Sequence, residues 1–313
     1  MHLLITFAAA LDEQARQALA GLVLPQLTAL LARLGARAPD PEEAAGDERS
    51  LSAPHERALA RAFGWPLADG ALPLAAWQAA ADGIEMGRQP WVRLTPAHWH
   101  LGTEQVSLLD PAELLLTADE SRALLDAVRE LFESEGFTLA WGAPLRWYAA
   151  HPLLEGMRNA SLDRVVGRNV DRWLAAAPTP PLLRRLQNEV QMLLYTHPLN
   201  AARELAGALP VNSYWLDGCG AQRPATAQPL VDERLRAPAL AGDWAAWSAA
   251  WQALDAGPLA ELARRDAAGE PVRLTLAGER RALDWASAPR GLWQRLSGAL
   301  RRPGPVQSVL EQL

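Results

Sequence analysis

The run 182–220, LLRRLQNEVQMLLYTHPLNAARELAGALPVNSYWLDGCG, constrains the fold more than any other part of this chain. Leu182, Leu183, Leu186, Val190, Leu193 and Leu194 recur at helical spacing, so the run begins as an amphipathic helix with a stripe to bury. The residue before a proline is pushed out of the α region, so His197-Pro198 ends that helix. A second helix over 199–206 follows, and Gly207 stands where a left-handed cap closes it. Pro210 turns the chain, and 211–216 reads as a strand running into the turn Gly218-Cys219-Gly220. Helix, helix, strand and glycine turn make an α/β unit. Glycines after a strand let backbone approach a ligand closely, although Gly-x-Gly alone is a weak sign.

The same run resembles archaeal-type, cofactor-independent phosphoglycerate mutases of the alkaline phosphatase superfamily. It is also similar to a group of proteobacterial proteins described as regulatory proteins or phosphoglycerate mutases. The resemblance rests on His197, Pro198, Asn200, Arg203, Gly207, Pro210, Asn212, Gly218 and Gly220. The plainer reading of His197 and Asn212 is that they satisfy backbone groups between the two helices and the strand.

A second region, 91–168, carries a similar resemblance. Residues 91–94 and 98–101 read as strands, and Gly102-Thr103-Glu104 turns the chain into 106–109. Thr117-Ala118-Asp119-Glu120 is a capping box, in which hydroxyl and carboxylate each satisfy the other end's backbone N–H. It starts a helix to Glu133 with Ala123, Leu124, Val128, Leu131 and Phe132 inward. Strands at 137–141 and 145–149 complete a small α+β module. In the mutases a cap module has the same order. The resemblance places Arg93 on a hairpin arginine, Arg146 on a strand arginine and Gly167-Arg168 on a Gly-Lys pair. The family's His-Asp pair is replaced here by Asp163-Arg164.

The rest of the chain supplies the body. Residues 2–8 read as a strand, and 11–34 as a helix that Pro25 kinks or divides. Residues 36–52 form an acidic loop, 54–63 a helix, 67–74 an irregular stretch and 75–81 a short helix. Residues 225–240 read as a Pro-containing loop. Trp244, Trp247 and Trp251 lie at helical spacing over 243–254, a stripe that suits a core better than a ligand platform. A helical stretch over 259–267, strands at 272–277 and 281–285, a helix at 292–300 and a basic tail from Arg301 follow.

Composition removes several functions. All 30 basic side chains are arginine, which excludes P-loop NTPases, lysine Schiff-base enzymes and protein kinases. A net charge of −6 argues against nucleic acid or an anionic membrane as partner. No apolar run approaches a membrane span, and 1–10 lacks a basic leader and reads as a strand, so a cytoplasmic protein is expected. The single cysteine, Cys219, excludes an internal disulfide framework and reads as a small packing residue rather than a reactive thiol.

The resemblance implies two divalent metals held by Asp and His around a hydroxyl nucleophile, which neutralise phosphate charge and activate the attacking group. An Asp is expected directly after the first strand, yet Phe7-Ala8-Ala9-Ala10-Leu11 precedes the first carboxylate, Asp12. None of the six histidines lies beyond His197. His98 and His100 share a strand face, a chelating spacing, but no third ligand is placed beside them, and a polar strand face is the plainer reading.

The expected fold is therefore α/β, an alkaline phosphatase-like sheet flanked by helices. The body is 1–90 and 176–313, with an inserted α+β cap at 91–175. The expected function is that of a catalytically degenerate phosphoglycerate mutase-like protein, a binding or regulatory protein without cofactor or metal. A small phosphorylated acid would meet Arg93, Arg146, Arg168, His197, Asn200, Arg203 and Asn212. An active mutase or phosphatase with a rearranged metal centre, and a protein-interaction module with exposed tryptophans, are the alternatives.

Overall fold

The computed structural model describes residues 1–38, 48–103, 105–177, 179–287 and 306–313. Glu104 of the expected turn, most of the loop at 36–52, the helix at 292–300 and the start of the basic tail at 301–305 lie outside them. The strands are β1 (His2–Ile5), β2 (Gly35–Ala36), β3 (Trp91–Ala97), β4 (Trp99–Leu101), β5 (Val106–Leu108), β6 (Thr138–Ala143), β7 (Arg146–Ala150), β8 (Ser213–Gly220), β9 (Leu230–Asp232), β10 (Arg273–Ala277) and β11 (Ala282–Ala286). They divide into two compact units. One comprises Met1–Arg49, Pro54–Trp65 and Ala225–Leu313; the other comprises Ser50–Ala53 and Pro66–Pro224. The expected cap boundaries at 91 and 175 both fall inside the second unit.

The first unit is built on a mixed sheet of order β2-β11-β10-β1-β9. β1 runs parallel to both β9 and β10, while β10–β11 and β11–β2 are antiparallel. One face buries Leu3, Ile5, Leu274 and Leu276 against Leu27 and Leu30 of the helix Pro25–Arg33 and Trp247 and Trp251 of the helix Trp244–Leu254. The tryptophan stripe is thus core, as its spacing suggests. On the other face Leu4 and Ala277 meet Ala58 of the helix Pro54–Phe63. The expected helix at 11–34 is two helices, Glu13–Ala20 and Pro25–Arg33, bent by 87°. Pro25 sits at the first position of the second helix, where its missing N–H costs nothing. Two of that helix's amide groups, on Gln26 and Leu27, donate to the buried carboxylate of Asp255 at 3.1 and 2.8 Å. Asp255 opens a π-helical turn, Asp255–Leu259, that holds Pro258 and passes into the helix Ala260–Ala267. The stretch read as a loop at 225–240 contains β9 and a helix, Arg236–Leu240. β9 is three residues long and gains its partner only from β1, so local sequence gives it little signal.

The second unit holds an antiparallel sheet of order β6-β7-β3-β8 and a separate β4–β5 hairpin. On one sheet face Val92, Leu94, Trp147 and Ala149 pack against the helices Ala118–Glu133 and Pro181–Tyr195. On the other, Trp91, Tyr148 and Ala150 pack against Ala75, Ala76 and Ala79 of the helix Leu74–Ala81. The capping box forms as expected: Thr117 N donates to Glu120 Oε2 at 2.9 Å and Glu120 N to Thr117 Oγ1 at 3.2 Å. Leu125, not Ala123, joins Leu124, Val128 and Phe132 on the buried stripe. Gly207 has φ 74°, the left-handed cap that the sequence requires. Gly218-Cys219-Gly220 is no turn but the end of β8. A Cβ on Gly218 would lie 2.8 Å from the Ala75 amide nitrogen, so these glycines admit the backbone of the helix Leu74–Ala81 rather than a ligand. Among the described residues no single helix is long and apolar enough to cross a membrane.

Candidate functional site

The arginines expected to meet a ligand are engaged within the second unit. Arg93 forks onto Asp217 of β8, with Nε to Oδ1 at 2.8 Å and Nη2 to Oδ2 at 2.6 Å, and Nη1 reaches Gln78 Oε1 at 3.1 Å. Asp217 is 1% exposed and also accepts from the Leu162 amide at 2.9 Å. Arg146 forks onto Asp82 at 3.1 and 2.8 Å, and the Tyr148 hydroxyl donates to Asp82 Oδ2 at 2.7 Å. Burial would raise the Asp82 carboxyl, but the hydrogen bonds from Arg146 and Tyr148 outweigh it and hold it below the usual range. Burial and the bond to Asp82 push Tyr148 up. Because Arg93 stands opposite Tyr148, and Arg146 and Tyr148 are two apart on β7, the structure brings both arginines to one sheet face. That face is the one covered by the helix Leu74–Ala81. Arg168 donates from Nη1 to the Arg164 carbonyl at 3.4 Å.

The 197–212 residues form a second cluster. His197 caps the helix Pro198–Leu205, its Nδ1 accepting from Leu199 N at 3.2 Å. Asn200 is buried. Its Nδ2 donates to the carbonyls of Leu194 and Val211, and its Oδ1 accepts from Val211 N at 2.9 Å. Asn212 mimics a strand residue, accepting from Trp99 N at 2.7 Å and donating to Trp99 O at 3.0 Å. Arg203 donates to Glu120 at 2.7 Å, to Leu209 O at 3.0 Å and to Leu114 O. Burial opposes, but Thr117 and Arg203 lower the Glu120 carboxyl. The helix-starting box and the 197–212 run are thus tied together. His98 Nδ1 lies 2.8 Å from Pro210 O, and the His98 and His100 rings are 6.4 Å apart.

In the first unit, the segment after β1 takes the place where the resemblance expects a metal-binding Asp. Phe7 has φ 54°, a left-handed backbone that is unusual for a bulky residue. Trp247 Nε1 donates to Phe7 O at 3.0 Å, and Ala8 N donates to Ala277 O at 2.8 Å, which fixes this bend. The Phe7 ring lies 5.6 Å from that of His55. The first carboxylate, Asp12, caps the helix Glu13–Ala20 by accepting from Gln14 N at 2.7 Å and Ala15 N at 3.2 Å. Among the described residues no group of three or more His, Cys, Asp or Glu is placed to hold a metal ion. A different polar chain lies on the sheet. His2 Nε2 is 2.8 Å from Thr275 Oγ1, which donates to Asp284, and Arg273 Nη2 reaches Asp284 Oδ2 at 2.6 Å. Burial, with the neighbouring Arg273 charge, lowers His2 to about 4.

The second unit also contains cavities that sequence reasoning missed. A small one, of about 10 Å³, is lined by Asn159, Ala160, Trp173, Gln187, Trp215 and Leu216 among others. Asn159 Oδ1 and Trp173 Nε1 are buried and, among the described residues, have no hydrogen-bond partner. A wider cleft of about 320 Å³, lined by Leu153, Glu155, Met157, Arg158 and Pro180, shares Ala177 with the small cavity. No motif marks Asn159 or Trp173, because which polar atom stays unpaired is decided by tertiary packing. Cys219 is buried, donating to Leu154 O, and burial with nearby Glu155 pushes its thiol up to about 12, as suits a packing residue.

No family model matches the chain, and no curated protein matches it. Among solved structures it is similar to a cofactor-independent phosphoglycerate mutase from Thermoplasma acidophilum, with 14% identity, 100% of this chain and 99% of that one covered, and a TM-score of 0.37. It is also similar to a Pyrococcus horikoshii protein, with 11% identity, 91% of this chain and 86% of that one covered, and a TM-score of 0.45. These are distant likenesses, and no residue role is taken from them.

Proposed function

We propose that this chain is a binding or regulatory protein on an alkaline phosphatase-like, phosphoglycerate mutase-type frame, without phosphoryl-transfer activity. The observation that carries the reading is where the expected ligand residues spend their hydrogen bonds. Arg93 is forked onto Asp217, Arg146 onto Asp82, and Arg203 onto Glu120 and two carbonyls. A guanidinium already paired with a carboxylate meets a phosphate group only by giving up that pair. The place of the first metal-binding Asp is taken by a left-handed Phe7 anchored to the core. Residues that would handle substrate in an enzyme thus serve as fasteners here.

The test is a turnover assay on purified protein with 2-phosphoglycerate and added manganese, magnesium or zinc, followed by phosphorus NMR. No interconversion with 3-phosphoglycerate is expected. Metal-dependent turnover abolished by EDTA would overturn the reading in favour of a rearranged active centre. Recognition of a phosphorylated acid is the finer part of the proposal. It expects thermal stabilisation by millimolar 3-phosphoglycerate that Arg168→Gln removes, and no stabilisation withdraws it.

A further inference from the structure

We propose that the open edge of β6 is a self-association surface, where a second copy of this chain pairs its own β6 antiparallel across a twofold axis. β6 ends the sheet β6-β7-β3-β8, and among the described residues its only strand partner is β7. An edge strand turns a row of N–H and C=O groups away from its sheet, a template for another strand. Proteins that keep such an edge unpaired blunt it with charges, proline or bulges. Thr138–Ala143 carries no charge and no proline. Its one irregularity lies between Trp141 and Ala143, which leaves Thr138–Trp141 regular.

The helix over this edge selects a second copy rather than a foreign strand. Arg122 Cζ of the helix Ala118–Glu133 lies 3.8 Å from the centre of the Trp141 ring of β6. Arg122, Asp126, Arg129 and Glu133 follow at spacings of four, three and four, so they form one row on that flank of the helix. Glu120, on the opposite flank, is tied to Arg203. The side chains of the row are between 36% and 67% exposed. Their signs read plus, minus, plus, minus. A twofold at β6 sets the strand edges about 4.8 Å apart and lays the two helices side by side in opposite directions. Arg122 then faces the partner's Glu133, and Asp126 faces the partner's Arg129, so every charge meets its opposite. A foreign strand could use the edge, but only a copy brings this row in reverse order. Arg129 already bridges Asp126 and Glu133 at 2.9 and 3.1 Å within its own helix. These pairs are exposed and weak, and each carboxylate has further acceptor sites, so the partner's arginines add to them. The surface uses none of the residues of the proposed ligand set, so the two readings fail separately.

The test is sedimentation velocity of the full chain from low to high micromolar concentration, over which the wild type should pass from monomer to dimer. Arg122→Glu/Arg129→Glu makes the row wholly negative, and Asp126→Arg/Glu133→Arg makes it wholly positive. Each variant alone should dimerise at least tenfold more weakly, and the two mixed in equal amounts should restore the dimer. Circular dichroism checks that each variant is folded. Should either fail to fold, hydrogen–deuterium exchange of the wild type decides, with the amides of 138–141 exchanging more slowly at high concentration than at low. A wild type that stays monomeric, a dimer that both variants leave unchanged, a mixture that stays monomeric, or exchange in β6 indifferent to concentration overturns the proposal.

Discussion

Replacing Arg93 with methionine separates a fastener from a ligand residue. Asp217, 1% exposed, accepts two hydrogen bonds from Arg93 and one from the Leu162 amide. The substitution keeps the aliphatic stem but removes both charge-assisted bonds, leaving a buried carboxylate with one donor. Two hydrogen bonds to a charged group at about 1.5–3 kcal/mol each give about 3–6 kcal/mol. Removal of one partner from buried ion pairs costs about 3–5 kcal/mol, and this is the expected loss. Most of that loss is the stranded charge, so Arg93→Met/Asp217→Leu should be more stable than Arg93→Met alone. The double variant still orphans the Leu162 amide, which costs about 1–3 kcal/mol. Urea unfolding followed by far-ultraviolet circular dichroism measures four forms: the wild type, Arg93→Met, Asp217→Leu and the double variant. A loss under about 1 kcal/mol for Arg93→Met, or simple addition of the two single effects, would refute the structural role.

Three further perturbations follow from the geometry. His2 titrates near 4 when folded and near 6.5 when unfolded, so below pH 6.5 the unfolded chain gains a proton that the folded ring refuses. Stability should be level above pH 6.5 and fall towards pH 4, by about 3 kcal/mol at most and about 1–2 kcal/mol once the ring's partial exposure is discounted. Urea midpoints at pH 7 and 4.5 should fall more for the wild type than for His2→Gln, and equal slopes would contradict the network. Asp255→Ala removes the cap of the helix Pro25–Arg33 and should cost about 1–2 kcal/mol in urea unfolding; no loss would remove its capping role. Gly142→Ala sets a methyl group 2.6 Å from Tyr148 Cε2 and against Asp82, and should lower the melting temperature through about 1–3 kcal/mol of overpacking, with an unchanged melt disproving the close approach.

Signals confined to a few neighbouring residues were legible in the sequence. The Thr117–Glu120 box, the helix Pro54–Phe63 and the left-handed Gly207 each follow from residues within one or two turns. What depends on distant partners was not. The turn read into Gly218-Cys219-Gly220 is strand because the backbone of the helix Leu74–Ala81 lies against it. That Arg93 and Arg146 are paired with carboxylates was not legible, because those carboxylates stand 124 and 64 positions away in the chain. Asn159 and Trp173 gave no sign at all, since an unpartnered atom is defined only by everything around it. The resemblance supplied residues of interest but could not say whether they served chemistry or construction.

The position of β1 has a consequence for synthesis of the chain. Its partners, β9 and β10, begin at Leu230 and Arg273. At roughly 5–20 residues per second, a ribosome delivers them roughly ten to fifty seconds after β1 has emerged. The unit ending at Pro224 can complete its own sheet during that interval. The opening strand must wait meanwhile with its amides and carbonyls open to the wrong neighbours, which makes it a natural client for a nascent-chain chaperone.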